Sequence, residues 1–357
     1  MIFLIPVLVV VAQQVNSFSH AFPQYIADLV PKGIGQKLKA YRNLSLLLNP
    51  KTLGRNIIGN ALFNATDTAS KALAVPIDRA IGAFTGNKTR VLPQVAESIQ
   101  GAVSGARKGF NEALQGIDTR GLGQRFDLQG NRSFNNPIGR VAETALDIGL
   151  RVPDRTFYEG AFAESVANQM AAQGLEQPTQ DILQRAEQEA LEAVFQNNSK
   201  ISDLTLNLRK GLNRLGVENF GLGDIAVPYA QTPANLVQQG FNYSPLGLVK
   251  GVNNLVQGNQ RQASLDLARA LMGTGIGYGG YELANQGLAT PTQFSDNYQT
   301  NKNIRNNLQV LGIRPDQIGD YWYAPFQPMS IPLAAGIATQ QGENPIQAGL
   351  NTIVDLP

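Results

Sequence analysis

Five dipeptides constrain this chain more than any other feature: Asn49-Pro50, Asn136-Pro137, Thr232-Pro233, Ser244-Pro245 and Asn344-Pro345 each stand before a stretch with helical apolar spacing. An Asn, Ser or Thr side-chain oxygen can accept an orphan N–H of a first helical turn. Proline just inside that turn loses no hydrogen bond that was available. Each dipeptide therefore reads as a helix start, and Thr179 before Asp181 gives a similar signal.

The apolar periodicity points the same way. Val95, Ile99, Val103, Ala106, Phe110 and Leu114 recur on one helical face, as do Ile182, Ala186, Ala190 and Val194. Further helices are expected over 50–64, 138–149, 154–173, 245–257, 261–285, 300–311 and 331–341. Alternating strand patterns are scarce. The exception is Ile318-Gly319-Asp320-Tyr321-Trp322-Tyr323, where a Gly-Asp pair between apolar residues predicts a small β-hairpin. The expected fold class is mainly α: several Pro-capped amphipathic helices and one hairpin near 318–323.

Loops rich in Gly and Asn divide the chain. The expected organisation is an apolar N-terminal segment over 1–30, a basic helical region over 31–115 and a Gly/Asn-rich loop over 116–136. A central helical region over 137–240 and a C-terminal helical region with the hairpin over 241–357 follow. No repeat of solenoid period is present in the sequence. The opening MIFLIPVLVVVA is shorter than the ~20 residues a membrane-spanning helix needs, and no Lys or Arg precedes Lys32, so it does not read as a secretory signal.

Composition narrows the chemistry. Charged residues are only 16% of the chain, against about 25% in ordinary soluble domains. Such a surface suits helices that pack on partners or an apolar environment, and equally an ordinary soluble protein rich in Asn and Gln. With no cysteine there is no disulfide framework, thiolate nucleophile or Cys-based zinc site, and a single histidine, His20, excludes a histidine metal cluster. The net charge of +2 hides a basic N-terminal third, where Lys37, Lys39, Arg42, Lys51 and Arg55 meet little acid. These five are the candidates for contacting phosphates or lipid headgroups.

Several motif matches fail on inspection. Gly275-Ile276-Gly277-Tyr278-Gly279-Gly280 has the spacing of a dinucleotide-binding loop, but the preceding LDLARALM reads as helix where a strand is required. Close helix packing accounts better for it, because Gly273/Gly277 and Gly275/Gly279 lie four apart and admit another backbone. Gly82 to Thr89, GAFTGNKT, misses the phosphate-binding loop by one inserted residue, Asn87. Glu164-Ser165 invites comparison with the Glu-Ser of lytic transglycosylases, but no matching downstream segment follows; Glu164 is expected to be solvated on its helix, and Glu187, Glu189 and Glu192 to form the polar face of another. Gly273, Gly277, Trp322 and Tyr323 are the candidate packing residues. No catalytic, cofactor-binding or metal-ligating residue is expected.

LKAYRNLSLLLNPKTLGRNIIGNALF, from Leu38, resembles a segment of large polyvalent proteins of bacteriophages and prophages. Arg151 to Gly160, RVPDRTFYEG, resembles that group's Pro-Asp-aromatic helix start. TPANLVQQGFNYSPLGLVKG from Thr232 resembles its paired Pro-capped helices, and Gly312 to Pro332 its hairpin and Pro-rich loop. The resemblance implies a non-enzymatic virion-associated protein, packaged internally and ejected with the genome to meet the portal channel or host envelope. Its implied partners are other virion proteins or copies of itself, a membrane surface and non-specific contact with nucleic acid, with no cofactor and no small-molecule substrate. Its implied location is the virion, or the host envelope or cytoplasm after delivery. Two other readings stand beside it: a scaffold region of a longer polyvalent protein, and a peptidoglycan hydrolase acting through Glu164.

Overall fold

The computed structural model describes residues 50–115, 137–197, 231–289 and 328–354, with isolated positions between 203 and 211. The described residues form helices α1 (Pro50–Thr85), α2 (Val95–Gln115), α3 (Pro137–Gln173), α4 (Gln180–Ala193), α5 (Gln231–Asn242), α6 (Leu246–Val256), α7 (Gln260–Asn285), α8 (Ser330–Gln341) and α9 (Pro345–Val354). The fold is mainly α, and no strand occurs among the described residues. The expected hairpin at 318–323 and the expected helix over 300–311 lie outside them, as do the 1–30 segment and the 116–136 loop.

The caps at Thr179 and Asn344 form by the chemistry the sequence predicts, and Asn49 and Asn136 lie outside the described residues. Thr179 Oγ1 accepts the N–H of Ile182 at 3.3 Å and opens α4. Asn344 Oδ1 accepts from Ile346 N at 3.0 Å and Gln347 N at 3.2 Å, opening α9 at Pro345. At Ser244-Pro245 the expectation shifts by one residue: Pro245 takes the cap position itself and α6 starts after it, with Ser244 Oγ accepting from Leu246 N at 3.2 Å. At Thr232-Pro233 the expectation is corrected: the helix begins at Gln231, so Thr232 lies inside its first turn and is not the cap.

Two expected breaks are absent. The separate helices predicted over 138–149 and 154–173 are one continuous α3 with Pro153 inside it, and α1 runs past 64 and through Pro76 to Thr85. An internal proline costs about 3 kcal/mol. Along α3 that cost is offset by contact with α2, whose glycines form a ladder against it. A Cβ on Gly101 would strike the carbonyl of Glu159, one on Gly105 that of Arg155, and one on Gly109 would lie 2.9 Å from that of Arg151. The two backbones are in near contact over two turns.

This ladder fixes which face of α2 turns inward, and it is not the large apolar one. Val95, Ile99, Val103 and Phe110 are 53%, 59%, 51% and 46% exposed, whereas Gly105, Gly109, Glu112 and Ala113 are buried. On α4 the apolar face behaves as periodicity suggests: Ile182, Ala186 and Ala190 are wholly buried and Val194 nearly so.

The apolar core is divided among small clusters. Phe63 of α1, Phe195, Leu236, Tyr243 and Met329 form one. Tyr158 and Ala161 of α3 pack with Ala190, Leu191, Ala193 and Val194 in a second. Ala284, Ala334, Ile337, Ala338 and Ala348 join α7, α8 and α9 in a third. Ala74, Leu265 and Ala268 join α1 to α7. Between these clusters runs a seam of charged and polar side chains.

Candidate functional site

The seam starts on α1. Asp67, Ser70, Lys71 and Asp78 follow Phe63 and flank Ala74 at helical spacing, so they occupy core-facing positions and are buried. From α7, Arg261, Ser264 and Arg269 face them; from α3, Glu164, Ser165, Asn168 and Gln169; from α4, Glu189 and Glu192. Burying these ions unpaired would be prohibitive, and the geometry pairs them.

Arg269 holds the centre. Its Nη2 and Nε donate to Asp67 Oδ1 at 2.6 and 3.0 Å, and its Nη1 to Glu192 Oε1 at 2.7 Å. The guanidinium also sits 5.9 Å from the centroid of the Tyr243 ring. Lys71 bridges α1 and α3, 2.8 Å from Glu164 Oε2 and 3.3 Å from Asp67 Oδ2. Arg261 donates to the carbonyl of Thr89 at 2.8 Å, to Asn168 Oδ1 at 3.2 Å and to Glu189 Oε1 at 3.4 Å. Ser165 Oγ donates to Glu189 Oε2 at 2.7 Å, and Gln239 Nε2 to Glu192 Oε1 at 2.8 Å.

Electrostatics follow the pairing. Burial alone would raise Asp67, but Arg269 and Lys71 outweigh it and hold its carboxyl far below the usual range. Burial opposes the charge on Lys71 too, and Asp67 with Glu164 reverses the effect, pushing the ammonium up. Glu189 is held down at about 2 because Arg261, Arg90 and Lys71 together overcome its burial. Arg90 runs the other way. Burial and the like charge of Arg261 bring it down to about 10. Its Nη2 and Nε donate to the carbonyl of Arg261 at 2.8 and 3.0 Å.

The turn after α1 explains the near-miss phosphate loop. Gly86 takes a positive φ of 77° to close the helix, and its N–H returns to the Gly82 carbonyl at 2.8 Å. The amides that follow are committed to a carboxylate of the chain itself: Thr89 N and Arg90 N donate to Asp78 Oδ2 at 2.8 and 3.1 Å, and the Thr89 hydroxyl bonds Asp78 Oδ1. Gln260 Nε2 closes the turn against Asp78 Oδ1 at 3.1 Å and the Asn87 carbonyl at 3.0 Å. Asp78 takes up the amides of this turn.

Beside the seam lies a polar cleft of about 1290 Å³, walled by Thr89, Glu189, Glu192, Lys250, Gln260 and Arg261 among others. On its walls Arg261 pairs with Glu189 at 3.4 Å, while Lys250 and Glu192 pair with Asp266 at 3.2 Å and Arg269 at 2.7 Å behind the wall. Among the described residues no group of three or more His, Cys, Asp or Glu is placed to hold a metal ion.

Comparison with protein-family models, with curated proteins and with solved structures gives no match. The site has to be read from its own geometry.

Two expectations for carboxylates are corrected by that geometry. Glu164 is not solvated: it is 5% exposed and ion-paired to Lys71. Glu189 and Glu192 turn inward to Arg261 and Arg269, and only Glu187 of the three is exposed. Of the predicted contact residues, Lys37, Lys39, Arg42, Trp322 and Tyr323 lie outside the described residues. Lys51 and Arg55 fall at the start of α1, with side chains outside the description. Gly273 and Gly277 lie on α7. A Cβ on Gly273 would strike the Tyr243 carbonyl, and one on Gly277 would lie 3.2 Å from that of Pro332. Gly336, on the same helix α8 as Pro332, also abuts Gly277, whereas Gly275 and Gly279 have open space around them.

The residues missed by sequence reasoning are Asp67, Lys71, Arg90, Arg261 and Arg269. One signal was present: Asp67 and Lys71 sit i,i+4 within the small-residue run NATDTASKALAV, where a solvated face would carry more charge. Their partners on α7 are remote in sequence, and no periodicity names them.

Proposed function

We propose that this chain is a non-enzymatic structural protein of a bacteriophage or prophage particle, carried inside the virion and released with the genome to associate with the portal channel or host envelope. The observation that carries the interaction role is an inverted distribution of chemistry. Charges are gathered inside and paired, while large apolar side chains stand outside on α2 and on α6, where Leu246, Val249, Val252 and Val256 are 57%, 70%, 54% and 82% exposed. Contiguous outward apolar faces mark contact surfaces. The phage setting rests on the resemblance of residues 38–64, 151–160, 232–251 and 312–332 to polyvalent phage proteins.

No described helix is long and apolar enough to cross a membrane, so an envelope role on this reading uses helices lying in the interface. The test is quantitative mass spectrometry of purified DNA-filled particles before and after triggered ejection. The proposal expects the chain in the filled particle and its loss on ejection; absence from filled particles refutes it. Flotation with anionic liposomes at low and high salt addresses the envelope step. Binding that survives high salt reports apolar insertion, and binding lost with salt reports only a basic surface.

A further inference from the structure

The outward face of α2 has an internal symmetry. Its apolar residues Val95, Ile99, Val103, Ala106, Phe110 and Leu114 are separated by four, four, three, four and four positions, a spacing that reads the same in both directions. Reversing the helix about the midpoint between Val103 and Ala106 lays Ile99 over Phe110, Val103 over Ala106 and Val95 over Leu114. A small residue meets a β-branched one at the centre, and larger ones flank it. This is the alternation that close antiparallel helix pairing needs.

We propose that α2 is a homodimerisation element, pairing antiparallel with α2 of a second copy of this chain across a two-fold axis between Val103 and Ala106. The proposal rests on the reading of the outward apolar faces as contact surfaces and names the occupant of one of them.

The surroundings fit a second copy. The glycine ladder draws α2 tightly onto α3 on the opposite side, so the helix is held rigidly with this face outward. The stripe is bordered by Ala96, Gln100, Ser104, Arg107 and Asn111, so Arg107 is the only formal charge at its edge. In the reversed pair Arg107 falls beside Gln100 of the second copy, and no like charges meet. Val95, Ile99, Val103 and Phe110 are each about half exposed. Covering the stripe on two copies with its polar border removes on the order of 1,000–1,200 Å² from solvent, the lower edge of specific interfaces. A dimer that forms in a concentration-dependent way is the expectation for that area.

The absence of cysteine makes the test clean. Ile99→Cys and Phe110→Cys chains are prepared separately at full length, then oxidised alone and as an equimolar mixture, with Gln184→Cys on the exposed side of α4 as a control. Antiparallel pairing predicts at least five-fold more disulfide-linked dimer in the mixture than in either chain alone. Linkage of Ile99→Cys to itself at the level of the mixture would show parallel pairing and overturn the proposal. So would linkage no greater than that of the control.

Sedimentation of the cysteine-free chain over a hundred-fold concentration range should move from the chain mass toward twice that mass. Val103→Glu should remove the shift with helical circular dichroism unchanged. These outcomes are independent of whether the chain is found in particles, so failure of the dimer and failure of the virion assignment are told apart.

Discussion

Replacing Arg269 with methionine is the sharpest test of the buried seam, because one side chain serves two carboxylates and a ring. The substitution keeps much of the volume and helix propensity and removes three short hydrogen bonds, two to Asp67 and one to Glu192. Asp67 keeps Lys71 at 3.3 Å, and Glu192 keeps Gln239 at 2.8 Å, so neither acceptor is stripped. Removing one partner from a buried pair costs about 3–5 kcal/mol. With Arg269 only 3% exposed at its side chain, solvent screening offers little relief, and a loss of about 4 kcal/mol at pH 7 is expected. In urea this moves the unfolding midpoint down by about 1–2 M, measured by circular dichroism.

The pH dependence separates lost charge pairing from lost packing. In the parent, Asp67 is depressed below its unfolded value, so its contribution is full above about pH 4 and is lost as pH falls. In the variant Lys71, with the Tyr243 hydroxyl 3.4 Å from Oδ1, is left to oppose burial, the Asp67 carboxyl moves up, and less stability is lost on acidification. The gap between parent and variant should therefore narrow from pH 7 to pH 3.5. A loss below about 1 kcal/mol at pH 7, or a gap that does not narrow, would refute the reasoning.

Acid titration of the parent tests the seam as a whole. Glu189 lies at about 2 and Asp67 is depressed with it, so stability should hold above the unfolded carboxyl range and decline as pH falls from about 4.5 toward 2, followed by far-ultraviolet dichroism. Gly105→Ala should destabilise by about 1–3 kcal/mol in chemical denaturation, because its methyl group meets the Arg155 carbonyl. Gly275→Ala, on the same helix as the packed Gly273 but with nothing within reach, should stabilise by about 0.5–1 kcal/mol in the same assay. Thr179→Ala should cost about 1 kcal/mol through the lost cap of α4, seen in the thermal midpoint.

Local signals carried much of the fold. The caps at Thr179 and Asn344 are legible because one side chain and one amide three or fewer residues away suffice to define them. The buried stripe Ile182, Ala186, Ala190 and Val194 is legible for the same reason of short range. Periodicity establishes that a face exists, and on α2 it says nothing of which face meets the core. There the deciding residues were Gly101, Gly105 and Gly109, whose spacing of four is the signal that also marked Gly273 and Gly277. The seam was illegible because its closest contacts join residues such as Asp67 and Arg269, 202 positions apart. A polar residue on one helix does not announce a counter-ion on another.

A glycine ladder has a weakness as a fastener: its notches are alike. Sliding α3 past α2 by one turn, about 5.4 Å, brings Gly101 or Gly109 to a site that Gly105 held, and the backbones still fit. What distinguishes the settings is the pattern of charge beside the notches. Lys108 reaches Glu159 at 3.2 Å, while Arg155 reaches Glu159 at 3.0 Å and lies 3.7 Å from Glu112. A slip one way would bring Lys108 to the position of Arg155, and a slip the other way would leave it beside Ala163. These ion pairs add little adhesion where they are partly exposed. They act as index marks that give an otherwise repetitive hairpin a single register, and so decide where the apolar face of α2 is presented.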